Sequence, residues 1–108
     1  MSYSAEKHDV FQAIADPTRR HVLELLATSD KPIAAITEHF SISRTAVVKH
    51  LKILEEVKLI SAQKIGREKV YTLHADRLKE IEDWLQYFEL FWENKLTHLQ
   101  RIVDQETP

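Results

Sequence analysis

Residues 33–56 carry two short apolar stripes of helical spacing, parted by a break of three residues, and few folds accommodate that pattern. Ile33, Ile36 and Phe40 recur at intervals of three and four, which places them on one face of a helix. Ser41-Ile42-Ser43 interrupts the pattern. Ile42, the lone apolar residue of the break, is expected to point inward and pin the turn. Ser43 suits a helix N-cap, because its hydroxyl can accept from an orphan N–H of the next turn. Val47, Leu51 and Leu54 then form a second stripe, leaving Arg44, Thr45, Val48, Lys49 and Lys52 on or near the opposite face. Two helices joined this tightly bury their stripes against each other and a third partner, so one face of the second stays free. The pattern predicts a helix-turn-helix over 33–56, a device that lays its second helix in a DNA major groove.

A β-hairpin follows. Leu59–Ile65 and Lys69–Leu73 are rich in β-branched and aromatic residues, and Gly66-Arg67-Glu68 between them holds the only glycine of the chain. A glycine at a hairpin tip supplies the positive φ that the turn requires. Lys64, Arg67 and Lys69 gather at this tip, suited to reach phosphates beside a groove. The wing is expected over 59–73, and the fold class is α+β, mainly helical: a winged helix-turn-helix.

A net charge of −2 over 108 residues speaks against nucleic acid until its distribution is considered. Residues 41–73 carry seven basic and three acidic side chains, whereas 1–40 carry four and six, and 74–108 carry four and eight. Positive charge is therefore concentrated where phosphates would lie. There is no cysteine, which excludes a disulfide framework, thiolate metal sites and a cysteine nucleophile. The N-terminus is polar and no apolar run approaches membrane-spanning length, so a soluble cytoplasmic protein without membrane contact is expected.

The flanks complete a single domain over 1–108. N-terminal helices are expected within 9–30: a short one at Val10–Ala15, then one from Thr18 to about Ala27 burying Val22, Leu23, Leu25 and Leu26. Asp16 is a good N-cap and Pro17 fits the first helical position. Thr28–Pro32 is expected to be a loop. Residues 76–104 form one long helical pattern in which Leu78, Ile81, Leu85, Phe88, Trp92, Leu96, Leu99 and Val103 make a stripe, broadened by Trp84, Phe91 and Ile102. Five of the nine aromatics fall between Trp84 and Trp92, and an apolar face this long fits a partner helix better than a small core. A symmetric dimer is expected, with Val10, Phe11, Ile81, Trp84, Leu85, Phe88, Phe91, Trp92 and Leu99 at its interface. Two recognition helices about 34 Å apart would then read an inverted repeat of double-stranded DNA.

Three segments resemble the ArsR-type winged-helix repressors. Asp9–Arg20 is similar to their opening, with Ala15-Asp16-Pro17-Thr18-Arg19-Arg20 at its centre. Ile42–Glu56 resembles their recognition helix, and Gly66–Tyr71 their wing. Trp84-Leu85 and Phe91-Trp92 resemble the terminal helix of a metal-independent subgroup. The resemblance runs from about residue 9 to 103 and implies a homodimeric repressor on a palindromic operator, often that of its own promoter. Two positions depart from the family. Val48 stands where serine is usual at a base-facing position; it removes a hydrogen-bonding group and offers methyls that suit a thymine methyl. Lys58 stands where glycine is usual after the recognition helix. A left-handed cap there costs lysine about 1 kcal/mol relative to glycine, which predicts a different helix end.

On this reading Arg44, Thr45 and Val48 read base edges, while Ser43, Lys49, His50, Lys52, Lys64, Arg67 and Lys69 hold the helix and its DNA backbone contacts. No cofactor is implied. The six histidines show no ligand spacing, and His98 lacks the second histidine pair of the terminal-helix zinc sites. Glu38 and His39 are the residual metal candidates, but adjacent helical residues diverge too far to chelate well. One glycine gives no phosphate-binding loop, and the carboxylates have the spacing of a solvated face, so no enzyme is expected. A winged helix used for protein contact is the competing reading, and a metal-responsive repressor with an unrecognised site is a second. Retention of Arg44, Lys49, Lys52 and a basic wing favours DNA. The sequence does not name an inducer.

Overall fold

The computed structural model of the protein describes residues 8–106; the polar stretch at the N-terminus lies outside them. In chain order the elements are α1 (Val10–Ala13), α2 (Pro17–Thr28), β1 (Lys31–Pro32), α3 (Ile33–Thr37), α4 (Arg44–Glu56), β2 (Ile60–Ile65), β3 (Glu68–Leu73), a 3-10 turn (Ala75–Leu78) and α5 (Lys79–Glu106). The chain divides after Leu78 into two compact units, where the sequence suggests a single domain. The first is a winged helix-turn-helix and the second is α5.

Local chemistry sets the helix starts. Asp9 and Gln12 form a reciprocal capping box, each side chain accepting from the other's backbone N–H at 2.8 Å, which holds a helix of only four residues. Asp16 caps α2 by accepting from the Arg19 N–H at 3.0 Å, with Pro17 in the first turn. Ser43 caps α4 through the Ala46 N–H at 3.1 Å. The side chains of α1 to α4 meet in one core with the inner face of the sheet: Val10, Val22, Ile36, Val47, Leu51, Leu54 and Leu59 are all but fully buried.

The hairpin joins β2 and β3 antiparallel, with Ile60 opposite Leu73 and Ile65 opposite Glu68. Its loop is the two residues Gly66 and Arg67. Gly66 has φ +65°, and Arg67 is not among the positive-φ residues, the pattern of a type II′ turn. A third strand that the sequence pattern hides, β1, pairs with β3 through Lys31 opposite Tyr71 and Pro32 opposite Val70. The segment expected as a plain loop thus ends as an edge strand, a position where proline's missing donor is tolerated.

Three further expectations are corrected. Ile42 does not pin the turn from inside; its side chain is 40% exposed. Val10 is not available to an interface, because it is completely buried. Lys58 does adopt the left-handed conformation, with φ +65°. The Leu59 N–H bonds the Leu54 carbonyl and the Lys58 N–H bonds the Glu55 carbonyl, both at 3.0 Å, which is a complete Schellman motif. Leu54 and Leu59, the pair that packs across such a motif, are both fully buried, and the Arg77 Nε donates to the Val57 carbonyl at 2.9 Å. Apolar burial and these bonds hold lysine in a conformation it disfavours.

Helix α5 spans 28 residues, about 42 Å. Its apolar stripe is exposed at Trp84, Leu85, Phe88, Phe91, Trp92 and Leu99. Trp84 meets Phe88 edge-on at 5.2 Å, and Phe91 meets Trp92 at 5.4 Å. No described helix is long and apolar enough to cross a membrane.

Replacing Lys58 with glycine is expected to stabilise the first unit by about 1 kcal/mol, since the cap no longer opposes a Cβ. Urea denaturation of the two proteins, compared by midpoint at unchanged slope, checks this.

Candidate nucleic-acid interface

Successive residues of α4 are turned by about 100°, so its three buried residues define the remaining surfaces. Val47, Leu51 and Leu54 point into the core. Thr45, Lys49 and Lys52 emerge on the opposite side and are exposed. One flank carries Arg44, Val48 and Glu55; the other carries Ala46 and His50.

The first flank faces the wing. Arg44 and Val48 line a cleft of about 370 Å3 together with Ile33, Ala34, Arg67, Glu68, Lys69 and Tyr71. The alternation of the hairpin explains the convergence. Lys64 pairs with Lys69, and Ala62 with Tyr71, on the face that buries Ile60 and Tyr71. The two lysines therefore project from the core-facing side of the hairpin, past the end of the core and towards α4. Tyr71 is only 3% exposed. Burial pushes its hydroxyl above the usual phenol range, the Glu55 carboxylate adds to this, and the Arg44 charge opposes it. Tyr71 is thus a neutral phenol at ordinary pH.

The second flank faces α2, and His50 packs there. Its Nδ1 lies 3.3 Å from Arg19 Nη1 and 3.8 Å from the Asp16 carboxylate. Residue 50 is about 160° around the helix from residue 48. His50 therefore ties α4 to α2. Arg19 is the centre of that tie, and the sequence reading gave it no role. Its Nε donates to the Ala13 carbonyl at 2.6 Å and its Nη2 to the Gln12 carbonyl at 3.1 Å. Arg20 donates to the Ile14 carbonyl at 2.7 Å. One arginine thus satisfies the end of α1 and touches the flank of α4. Its signal was present in Asp16-Pro17-Thr18-Arg19-Arg20, where only the cap was read.

The structure accordingly brings Arg44, Val48, Arg67 and Lys69 into one cleft, sets Lys64 beside Lys69, and places Thr45, Lys49 and Lys52 on the adjoining face of α4. Ser43 uses its hydroxyl as the helix cap. His39 lies edge-on to His21 at 6.2 Å, and His21 to Phe40 at 5.0 Å. No group of three or more His, Cys, Asp or Glu side chains among the described residues is disposed to hold a metal ion.

Residues 16–62, which include the whole helix-turn-helix, match the family described as bacterial regulatory protein, arsR family. The transcriptional repressor SdpR of Bacillus subtilis is 38% identical over 81 residues, covering 75% of this chain and 90% of that protein. The chain belongs to the ArsR family. The HTH-type transcriptional regulator Rv2034 of Mycobacterium tuberculosis is 32% identical, covering 89% of this chain and 87% of its own length. A crystal structure of the ArsR family transcriptional regulator RHA00566 superposes with a TM-score of 0.69 at 31% identity, over 77% of this chain and 86% of that one. This ArsR protein is a DNA-binding transcriptional repressor with a winged helix-turn-helix fold, and it is not an enzyme.

The tie that orients α4 is sensitive to acid. Partial burial pushes the Asp16 carboxyl up. The Arg19 N–H, the charges of His50 and Arg19, and the Thr18 N–H pull it down and prevail, so it sits below its ordinary value of 3.8. A carboxylate depressed by folding adds stability above its unfolded-state value, and that stability is lost as pH falls through the lower, folded-state value. Asp16→Asn keeps an N-cap but removes the charge. The variant is expected to be less stable than the parent at pH 7, and the two are expected to converge at a pH below 3.8. Denaturant midpoints at the two pH values measure the difference.

Proposed function

We propose that this chain represses transcription as a homodimer bound to an inverted-repeat operator, one copy of which lies in its own promoter. The observation that carries the reading is the exposed face of α4, whose opposite side is locked in the core and whose flank meets a basic wing. Such a helix can enter a major groove while the wing follows the backbone. Thr45 faces the bases, and Val48, at the border between that face and the cleft about 60° from Thr45, turns methyls that favour a thymine in each half-site. Ser43, Lys49, Lys52, Lys64 and Arg67 contact the sugar-phosphate backbone and set register.

The dimer is supported by the exposed stripe of α5. In this reading Phe11, Ile81, Trp84, Leu85, Phe88, Phe91, Trp92 and Leu99 meet a second copy, which sets two recognition helices about one DNA turn apart. The partners are double-stranded DNA and the chain itself.

A fluorescence-anisotropy titration with the protein's own upstream DNA and a scrambled duplex, at two salt concentrations, tests the reading. Preferential binding that weakens steeply with salt is expected, because each phosphate contact releases counterions. Equal, weak binding to both duplexes at every salt concentration would sink it and return the fold to a protein-docking role. Lys49→Ala is expected to weaken binding to both duplexes alike and to lower the salt slope by about 1. Trp92→Glu is expected to convert the dimer to a monomer in sedimentation velocity, since it places a charge mid-stripe. A variant that still sediments as a dimer would put the interface elsewhere.

A further inference from the structure

The cleft between α4 and the wing has the construction of a seat for one anion. Its cationic walls come from two elements, with Arg44 on α4 and with Arg67 and Lys69 on the hairpin, opposed by Glu68 in the lining and by Glu55, whose carboxylate acts on Tyr71. Its volume of about 370 Å3 leaves room for a phosphate and its water. The floor is Tyr71, a buried phenol that carries no charge to repel an anion. Arg44 belongs to this cleft and not to the outward face of α4, because Thr45 and Lys49 are turned about 100° and 140° away from it.

We propose that Arg44 and Lys69 grip the same backbone phosphate of bound DNA, so that Arg44 positions the recognition helix against the wing instead of reading a base. The inference rests on the DNA-binding reading of this face. A phosphodiester held between the two elements fixes how deeply α4 enters the groove, since the wing is itself fixed to the core through β1 and β3. Two cations on one phosphate also neutralise one charge, not two. The double variant Arg44→Gln with Lys69→Gln therefore lowers the salt slope by about one, the value of a single phosphate contact.

The test is a methylphosphonate scan, in which each backbone linkage of a duplex selected by the parent protein from a random pool is made neutral in turn. Arg44 and Lys69 are both exposed, so the glutamine variants keep the fold. One neutral linkage per half-site is expected to weaken the parent roughly tenfold, as loss of a charge-assisted contact does. The same linkage is expected to cost Arg44→Gln and Lys69→Gln each less than the parent, because one cation remains on it, and to cost the double variant nothing further, while all three variants keep the parent's preference for the selected sequence. Three outcomes overturn the proposal. The two single variants lose sensitivity at different linkages. Or Arg44→Gln keeps the whole pattern of sensitivity but loses preference for the selected bases, which makes it a base reader. Or no linkage near the cleft matters to the parent, while inorganic phosphate shifts the Tyr71 ring resonances, which assigns the cleft to a free anion. Failure of the parent to select any sequence would instead remove the DNA-binding reading itself.

Discussion

Val47, Leu51 and Leu54 stand three and four residues apart on α4, and each is at most 1% exposed. Rotating the helix by one residue, about 100°, would bring these side chains toward water and turn a flank inward, with Arg44 and Glu55 on one side or His50 on the other. Returning three buried aliphatic side chains to solvent costs on the order of 5–9 kcal/mol, comparable to the whole stability of a small domain. The orientation of the outward face is therefore not an adjustable property. Arg19 adds the lateral constraint. By holding the last carbonyls of α1 and touching His50, it fixes α4 along its α2 flank, and the only flank left open is the one that meets the wing.

The wing inherits its direction from the end of α4. Lys58 turns the chain left-handed, Leu59 drops into the core beside Leu54, and β2 begins at the next residue. Strand β3 then returns between β2 and the two-residue β1, so β3 is bonded on both edges at Val70 and Tyr71, β2 keeps an open outer edge, and the tip beyond β1 is free. The basic residues lie towards that free end. A rigid base with a charged tip suits backbone contact, because the tip can follow a groove wall without disturbing the core.

Much of this was legible in the sequence because it rests on local chemistry. Asp16, Pro17 and Ser43 announce helix starts through hydrogen bonds made within three residues, and Gly66 announces a turn through its own φ. The stripes of α4 and α5 follow from spacing alone. What was not legible depends on neighbours distant in sequence. Periodicity tells which side of α4 is buried but not what lies along its flanks, so it does not show that Arg44 meets the wing or that His50 packs against α2. Strand β1 is two residues long and exists only through its pairing with β3. Lys58 carries a conformational preference against its place, and a Schellman motif backed by two buried leucines outweighs it. Ile42 lies in a connection that runs six residues from Thr37 to Arg44, and hydrophobicity alone does not show that it faces solvent there.

Charge segregation gives the two units different responses to ionic strength. Residues 41–73 carry an excess of four positive charges, and residues 74–108 an excess of four negative ones. An acidic terminal helix gains nothing from lying along phosphates, which leaves the basic face of the first unit as the surface that DNA attracts. Two such helices brought together in the proposed dimer repel each other through their outward carboxylates while their aromatic stripes attract. Salt screens that repulsion and strengthens apolar pairing, yet it weakens each phosphate contact. Dimerisation and DNA binding therefore respond to salt in opposite directions. In the proposed arrangement one dimer occupies both half-sites, so operator affinity should fall with salt less steeply where free monomer is abundant than at saturating dimer, and the difference between the two slopes measures the helix–helix repulsion.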